Sequence, residues 1–299
     1  MADYVDCLKA LRKEKDFFVG IDSDGCAFDT MEIKHKECFT PNIINSWDLQ
    51  AVSRFAREAS EFVNLYSRWR GINRFPALLM VFDLLAERPE AVERGYKAPA
   101  VDSLRKWIKE ETRLGNPTLE AKVADTGDPV LARTLSWSKA VNDTVAKIVR
   151  NVPPFPHVRQ SLDWLQDVAD IMVVSATPGE ALEREWLEHD IGKYARMICG
   201  QEMGSKAEHL KYGAGGKYDA HKVLMIGDAP GDMKAARANG FLFYPINPGQ
   251  EAASWKRFFE EAADAFTAGR YEGDYEKKLV EEFMTYLPST PPWKKCKCC

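Results

Sequence analysis

A short apolar run, Phe17-Phe18-Val19-Gly20-Ile21, carries two carboxylates, Asp22 and Asp24, at its exit, with Gly25 directly behind them. A continuous run of this length reads as a buried strand. Charge at such a strand end repels and loses hydration, so it is normally kept where a cation or a reacting group offsets the cost. The same residues also suit a polar turn in which Gly25 supplies a positive φ.

The pattern recurs with different chemistry. Ile171-Met172-Val173-Val174 runs into Ser175-Ala176-Thr177, and Val223-Leu224-Met225-Ile226 runs into Gly227-Asp228-Ala229-Pro230-Gly231-Asp232. In a parallel sheet such exits gather along one edge, where open α/β folds bind their ligands. Between the last two runs, Gly204-Ser205-Lys206 opens a helical segment with a lysine. Taken singly, Ser175 suits a helix cap and Lys206 a solvated surface position.

These four elements, in this order, resemble the haloacid dehalogenase-like phosphohydrolases. The resemblance covers roughly residues 14 to 30 and 150 to 249 and implies an α/β fold: a doubly wound, Rossmann-like, mostly parallel sheet with an inserted all-helical cap domain. It also implies roles. Asp22 would be the nucleophile, Asp24 the acid and base, and Ser175 and Lys206 the groups that meet phosphoryl oxygens. Mg²⁺ would be held by the carboxylates of Asp22 and Asp228 and the backbone carbonyl of Asp24, with Asp232 one layer further out. Dehalogenase and phosphonatase relatives lack a carboxylate at the second position, which Asp24 fills here.

The residues support this chemistry independently. A carboxylate can form an acyl phosphate that divides one difficult displacement into two. Asp24 lies about 7 Å further along an extended chain, near enough to serve the same phosphoryl group. Four carboxylates at one pocket would repel a phosphate dianion without a cation, and Mg²⁺, a hard ion satisfied by one or two carboxylates and phosphate oxygen, fits that need.

Between Thr30 and about residue 170 the strand pattern gives way to helical spacing. Val52, Phe55, Ala56, Ala59, Phe62, Val63 and Tyr66 fall on one helix face, and further helices are expected over 75–87, 100–112 and 129–150. Asn151-Val152-Pro153-Pro154-Phe155-Pro156 marks the return to the sheet, because three prolines continue neither a helix nor an interior strand. The expected division is therefore 1–30 and 150–249 for the core and 31–149 for the cap. Residues 250–292 form an amphipathic helical extension with Trp255, Phe258, Phe259 and Phe266 as packing residues, and 293–299 a Cys/Lys tail.

At 299 residues and 45% hydrophobic composition the chain can bury a large core, and a formal charge of −4 with interspersed signs gives no argument for nucleic acid or membranes. Neither a signal peptide nor a transmembrane segment is expected, since residues 1–15 are charged throughout and the most apolar stretch, Phe75 to Ala86, contains Pro76 and Asp83. Scattered Cys7, Cys26, Cys38 and Cys199 form no disulfide-like framework and point to a reducing cytoplasm, with Cys26 a small buried residue. The crowded Cys296, Cys298 and Cys299 suit a lipidated, metal-binding or unstructured end. The five histidines lack metal-ligand spacing.

The expected substrate is a small phosphorylated metabolite, with hydrolysis as the reaction. Arg70 and Arg74, in the helix break Arg68-Trp69-Arg70-Gly71-Ile72-Asn73-Arg74, are candidate substrate-binding residues, since a guanidinium fork suits an anionic group; a solvated helix junction is the plainer reading. Gly115-Asn116-Pro117-Thr118 is a weaker candidate loop. A phosphomutase would use the same site residues, and a non-catalytic binding protein would keep only the fold.

Overall fold

The computed structural model describes residues 2–294. Five strands, β1 (Phe17–Ile21), β2 (Ala169–Val174), β3 (Met197–Cys199), β4 (Val223–Gly227) and β5 (Leu242–Pro245), form an all-parallel sheet in the order β3-β2-β1-β4-β5. Ile21 lies opposite Val173 on one side and Ile226 on the other. The chain thus moves from β1 outward to β3, then returns to build β4 and β5 on the opposite flank. Its winding reverses beside β1, the place where open α/β sheets bind ligands.

Alternation along the strands feeds two cores. Val19, Ile21, Ile171, Val173, Leu224 and Ile226 pack with Leu162, Trp186, Trp255 and Phe258 on one face. Phe18, Met172, Val174, Met225 and Phe243 pack with Leu8, Leu210 and Phe283 on the other. Gly20 belongs to this second face, where a Cβ would stand 2.9 Å from Leu210 Cδ2 and 3.1 Å from Met225 Sδ. The missing side chain lets the helix Lys206–Gly213 lie close over β1, which brings its first residue towards the carboxyl edge.

The opposite edge of the sheet is tied by a buried charge. Asp170, at the start of β2, accepts the backbone N–H groups of Glu14 and Lys15 at 2.8 and 2.9 Å, the Tyr218 hydroxyl at 2.5 Å and an Arg196 N–H at 2.5 Å. Burial pushes its carboxyl upward, but these donors outweigh burial and hold it below the usual range.

The structure divides into two units: the chain through Met31 with Asn151–Leu287, and Glu32–Arg150 with the segment that begins at Pro288. Residues 250–287 are therefore an integral part of the sheet unit. Trp255, Phe258 and Phe266 are buried, whereas Phe259 is half-buried. Trp255 Nε1 donates to Cys26 O at 2.7 Å. Glu276 accepts the Phe243 N–H at 2.7 Å, and the Tyr271 hydroxyl donates to Phe243 O at 2.7 Å. These two side chains satisfy backbone groups of the outermost strand, which would otherwise be an open sheet edge.

The second unit is all-helical among its described residues. Its main helices are Ser53–Asn64, Arg74–Ala86, Asp102–Glu110, Asn116–Thr126 and Pro129–Ile148, around a core that includes Trp47, Phe62, Phe75, Phe82, Trp107 and Trp137. The helix Asn116–Thr126 arises where Pro117 suggested a break: proline sits in its first turn, where a missing N–H leaves no bond unmade. The segment after Pro288 packs here too. Arg68 N–H donates to Pro288 O at 3.3 Å, and the Arg88 guanidinium lies between the rings of Phe55 and Trp293, 4.4 and 4.7 Å from their centroids. Lys294 pairs with Glu87. Cys296, Cys298 and Cys299 lie outside the described residues.

Two outcomes follow from this packing. Trp255→Ala empties a fully buried site and orphans Cys26 O, so it should cost about 3–5 kcal/mol in denaturant unfolding; a loss near zero would show that residues 250–287 fold apart from the sheet. His209, fully buried on the helix Lys206–Gly213, has its pKa pulled from 6.5 down to about 4, first by burial and then by the Lys206 ammonium. Between these values the unfolded chain binds the proton that the folded chain refuses, so this histidine's contribution is complete above about pH 6.5 and is lost as pH falls towards 4. The loss reaches about 3 kcal/mol at most. Unfolding free energies of His209→Leu should fall less steeply over that window than those of the parent, and parallel curves would rule the effect out.

Candidate active site

Asp22 is the first residue beyond β1. Its N–H donates to Ile226 O at 3.0 Å, which extends the β1–β4 ladder by one rung and fixes the backbone. Its Oδ1 accepts the Ser23 N–H at 2.8 Å, while Oδ2 lies 2.7 Å from Lys206 Nζ. Lys206 starts its helix under a reciprocal cap, in which Ser205 Oγ accepts the Glu208 N–H at 3.3 Å and the Glu208 carboxylate accepts the Ser205 N–H at 2.8 Å. The capped start aims the ammonium inward, where it also meets Asp232 Oδ1 at 2.6 Å.

Asp228 leaves β4 and Asp232 sits in the first turn of the helix Pro230–Ala238, where its Oδ2 accepts the Ala229 N–H at 3.0 Å. A Cβ at Gly227 would stand 2.4 Å from Asp232 Cβ, so glycine is required for this turn to close. Asp22, Asp228 and Asp232 are all buried, and their ligand atoms lie within 4.8 Å of one another.

The electrostatics are unbalanced. Burial pushes the Asp22 carboxyl well above its ordinary value, and Asp232 and Asp228 push it further, while Lys206 opposes them. Burial likewise disfavours the Lys206 ammonium, yet Asp22 and Asp232 more than compensate and raise its pKa. Lys206 thus meets two of the three buried carboxylates directly. A hard, oxygen-binding divalent cation suits this donor set, and on that ground the residues fit Mg²⁺.

Asp24 is held separately. Gly25 takes the positive φ of 75° and donates to Phe28 O at 2.8 Å, while Ser23 O accepts the N–H groups of Cys26, Ala27 and Phe28. This turn presents the Asp24 carboxyl to two hydroxyls: Thr30 donates to Oδ1, and Thr177 donates to Oδ2 at 2.6 Å. Because hydroxyls rotate between donating and accepting, the pair can hold the carboxyl in either protonation state. Ser175, buried beyond β2, accepts the Thr177 N–H through its Oγ at 3.2 Å, which leaves its own proton to donate.

The fold therefore gathers Asp22, Asp24, Ser175, Lys206, Asp228 and Asp232 at one sheet edge. Thr30 and Thr177 escaped sequence reasoning; Thr177 lies two residues past Ser175, but nothing local marks which loop its hydroxyl will meet. Cys26 is buried, its Sγ 3.6 Å from Ile226 O, and burial beside these carboxylates pushes its thiol well above the ordinary range, so it stays an unreactive thiol.

Arg70 and Arg74 belong to the helical unit and act there as struts. Arg70 is buried and donates to Leu65 O at 2.9 Å. Arg74 donates to Ser138 O, Ser138 Oγ and Asn142 Oδ1 at 3.1, 3.0 and 2.8 Å and lies 5.0 Å from the Phe39 ring. Burial draws its pKa down to about 10.

Three solved structures resemble the chain at low identity. A haloacid dehalogenase-like family hydrolase from Streptococcus pneumoniae is 15% identical, with 89% of this chain and 98% of that one covered and a TM-score of 0.44. A HAD-superfamily hydrolase from Ehrlichia chaffeensis is 16% identical over 83% and 97%, with a TM-score of 0.39. A HAD-superfamily hydrolase of subfamily IA, variant 1, from Geobacter sulfurreducens is 15% identical over 79% and 90%, also with a TM-score of 0.39. No curated protein matches. The family model for haloacid dehalogenase-like hydrolases matches residues 94–244, just over half of the chain and a span that includes Ser175, Lys206, Asp228 and Asp232. With that match joined to a reversing parallel sheet and its acidic edge, the chain belongs to the haloacid dehalogenase-like hydrolase family.

Proposed function

We propose that this protein is a Mg²⁺-dependent phosphatase that hydrolyses a small phosphorylated metabolite through an aspartyl phosphate on Asp22. One observation carries the reading. Two neighbouring carboxyls are held by independent partners: Asp22 by the Lys206 ammonium at 2.7 Å, Asp24 by the hydroxyls of Thr30 and Thr177. Paired carboxyls in unlike surroundings suit unlike tasks.

The Asp22 and Asp228 carboxylates and the Asp24 carbonyl would hold Mg²⁺, with Asp232 one layer out; when bound, the ion supplies positive charge to the phosphoryl oxygens. Lys206 orients Asp22 and favours its charged form, opposing part of the pull of burial. An Asp22 oxygen forms a bond to phosphorus as the bond to the leaving oxygen breaks, and Asp24 delivers a proton to that oxygen. The ionised Asp24 then takes a proton from water, whose oxygen attacks phosphorus and frees Asp22. Acid–base help of this kind is worth about 10² to 10⁴ in rate. Ser175 donates its hydroxyl proton to a phosphoryl oxygen as charge shifts onto it.

The helical unit would select the substrate. Arg70 and Arg74 would be its substrate-binding residues, beside the bonds that their Nη1 groups make inside that unit.

Phosphate release from a panel of phosphometabolites should require Mg²⁺ and stop in excess chelator. Asp22→Asn should abolish turnover. Asp24→Asn should slow hydrolysis of unactivated esters by about 10² or more yet still phosphorylate Asp22 from an activated aryl phosphate. Acid quench and peptide mass mapping would locate that phosphoryl group; label on another residue, or turnover in Asp22→Asn, would overturn the mechanism. Thr177→Val should lower kcat about tenfold and shift the pH–rate profile with little change in KM, and Thr177→Ser should restore both. An unchanged profile in the valine variant would remove Thr177 from its positioning role.

A further inference from the structure

The sheet unit carries a second cationic feature that the chemistry at Asp22 does not use. A cavity of about 380 Å³ opens between the N-terminal helix Ala2–Ala10 and the far end of the helix Lys206–Gly213, lined by Lys9, Lys211, Tyr212, Gly215 and Lys217. Among the described residues, three ammonium-bearing side chains line it and no carboxylate does, in a chain whose formal charge is −4.

Their arrangement is built rather than scattered. Lys217 Nζ donates to Leu8 O at 2.8 Å and to Tyr212 O at 2.9 Å, so it pins the two helices together and keeps a third N–H for another acceptor. Lys9 and Lys211 are exposed and hold their ammonium nitrogens 5.3 and 5.8 Å from the centroid of the Tyr212 ring. The face of one tyrosine offsets part of one ammonium's charge, about 0.5–1 kcal/mol at an exposed site. It does not neutralise three. Three ammonium groups on one open groove repel metal ions and suit an anion.

We propose that this cavity binds a small, multiply charged anion of the phosphate class, either free diphosphate or the phosphoryl end of a nucleotide, with Lys9 and Lys211 closing on it and Lys217 donating from beneath. Ammonium groups act as compact point charges that meet several phosphate oxygens without a fixed fork geometry, which suits such a ligand. Partial burial already lowers the pKa of Lys217, and an anion beside it would restore the charged form. This site stands independently of the reaction proposed at Asp22.

The test uses the full chain freed of metal by resin, without chelating anions, so that the acidic site repels the probes. Titration calorimetry with inorganic diphosphate and, separately, with ADP should give saturable binding of one equivalent that weakens as salt is raised. Equal affinities would assign the site to the phosphates alone, and tighter ADP binding would assign part of it to the organic moiety. Lys9→Gln/Lys211→Gln should bind at least tenfold more weakly while unfolding at the parent's temperature, since both side chains are exposed. Lysine acetylation read by mass spectrometry should show that diphosphate protects Lys9 and Lys211 but not Lys277, which is exposed elsewhere on the unit. Absence of saturable binding to the parent, undiminished binding to the double variant, or protection that fails to distinguish Lys9 and Lys211 from Lys277 would each overturn the proposal.

Discussion

The Lys206 ammonium between Asp22 and Asp232 is the interaction on which the sheet edge depends. It lies 2.7 and 2.6 Å from carboxylate oxygens that come from β1 and from the helix after β4. Buried ion pairs seldom add net stability, but removing one partner is expensive, about 3–5 kcal/mol, because an uncompensated charge is left behind. Two strand exits and a helix start are therefore locked to each other by a single nitrogen. That nitrogen reaches them because Gly20 lets its helix sink onto the sheet and because Ser205 and Glu208 fix the helix start. The arrangement concentrates negative charge at the one place where the chain reverses its winding.

What the sequence made legible was whatever local pattern encodes. Asp22 and Asp24 stand out because charge follows an apolar run, and Asp228 because a second run ends the same way. The helical spacing after Thr30 and the prolines from Pro153 are likewise local signals. The recurring polar exits, and the resemblance they carry, pointed to the parallel sheet. Its strand order was not readable from periodicity, which says nothing about neighbours.

The remainder depends on contacts between distant segments. The Thr177 hydroxyl meets Asp24, 153 residues away, and Trp255 reaches Cys26 O across 229 residues. Nothing in the local chemistry of a threonine or a tryptophan names such a partner. The arginines show the same gap: the cluster of guanidinium groups at a helix break is plain in the sequence, but not that Arg70 and Arg74 bond backbone and side-chain oxygens of their own unit. Pro117 misled in a third way, because proline ends a helix from within but is harmless in its first turn.

The segment that begins at Pro288 adds a third passage of the chain between the two units, after those at residues 31–32 and 150–151. A domain inserted at one point is joined by two strands of chain and can be exchanged as a cassette. Here a cassette cut at those two points would leave behind Trp293, whose indole covers the Arg88 guanidinium and abuts Phe62 at 5.8 Å. An exchange of the interval 32–150 would therefore have to carry the segment from Pro288 with it, because that segment completes the packing of the helical unit.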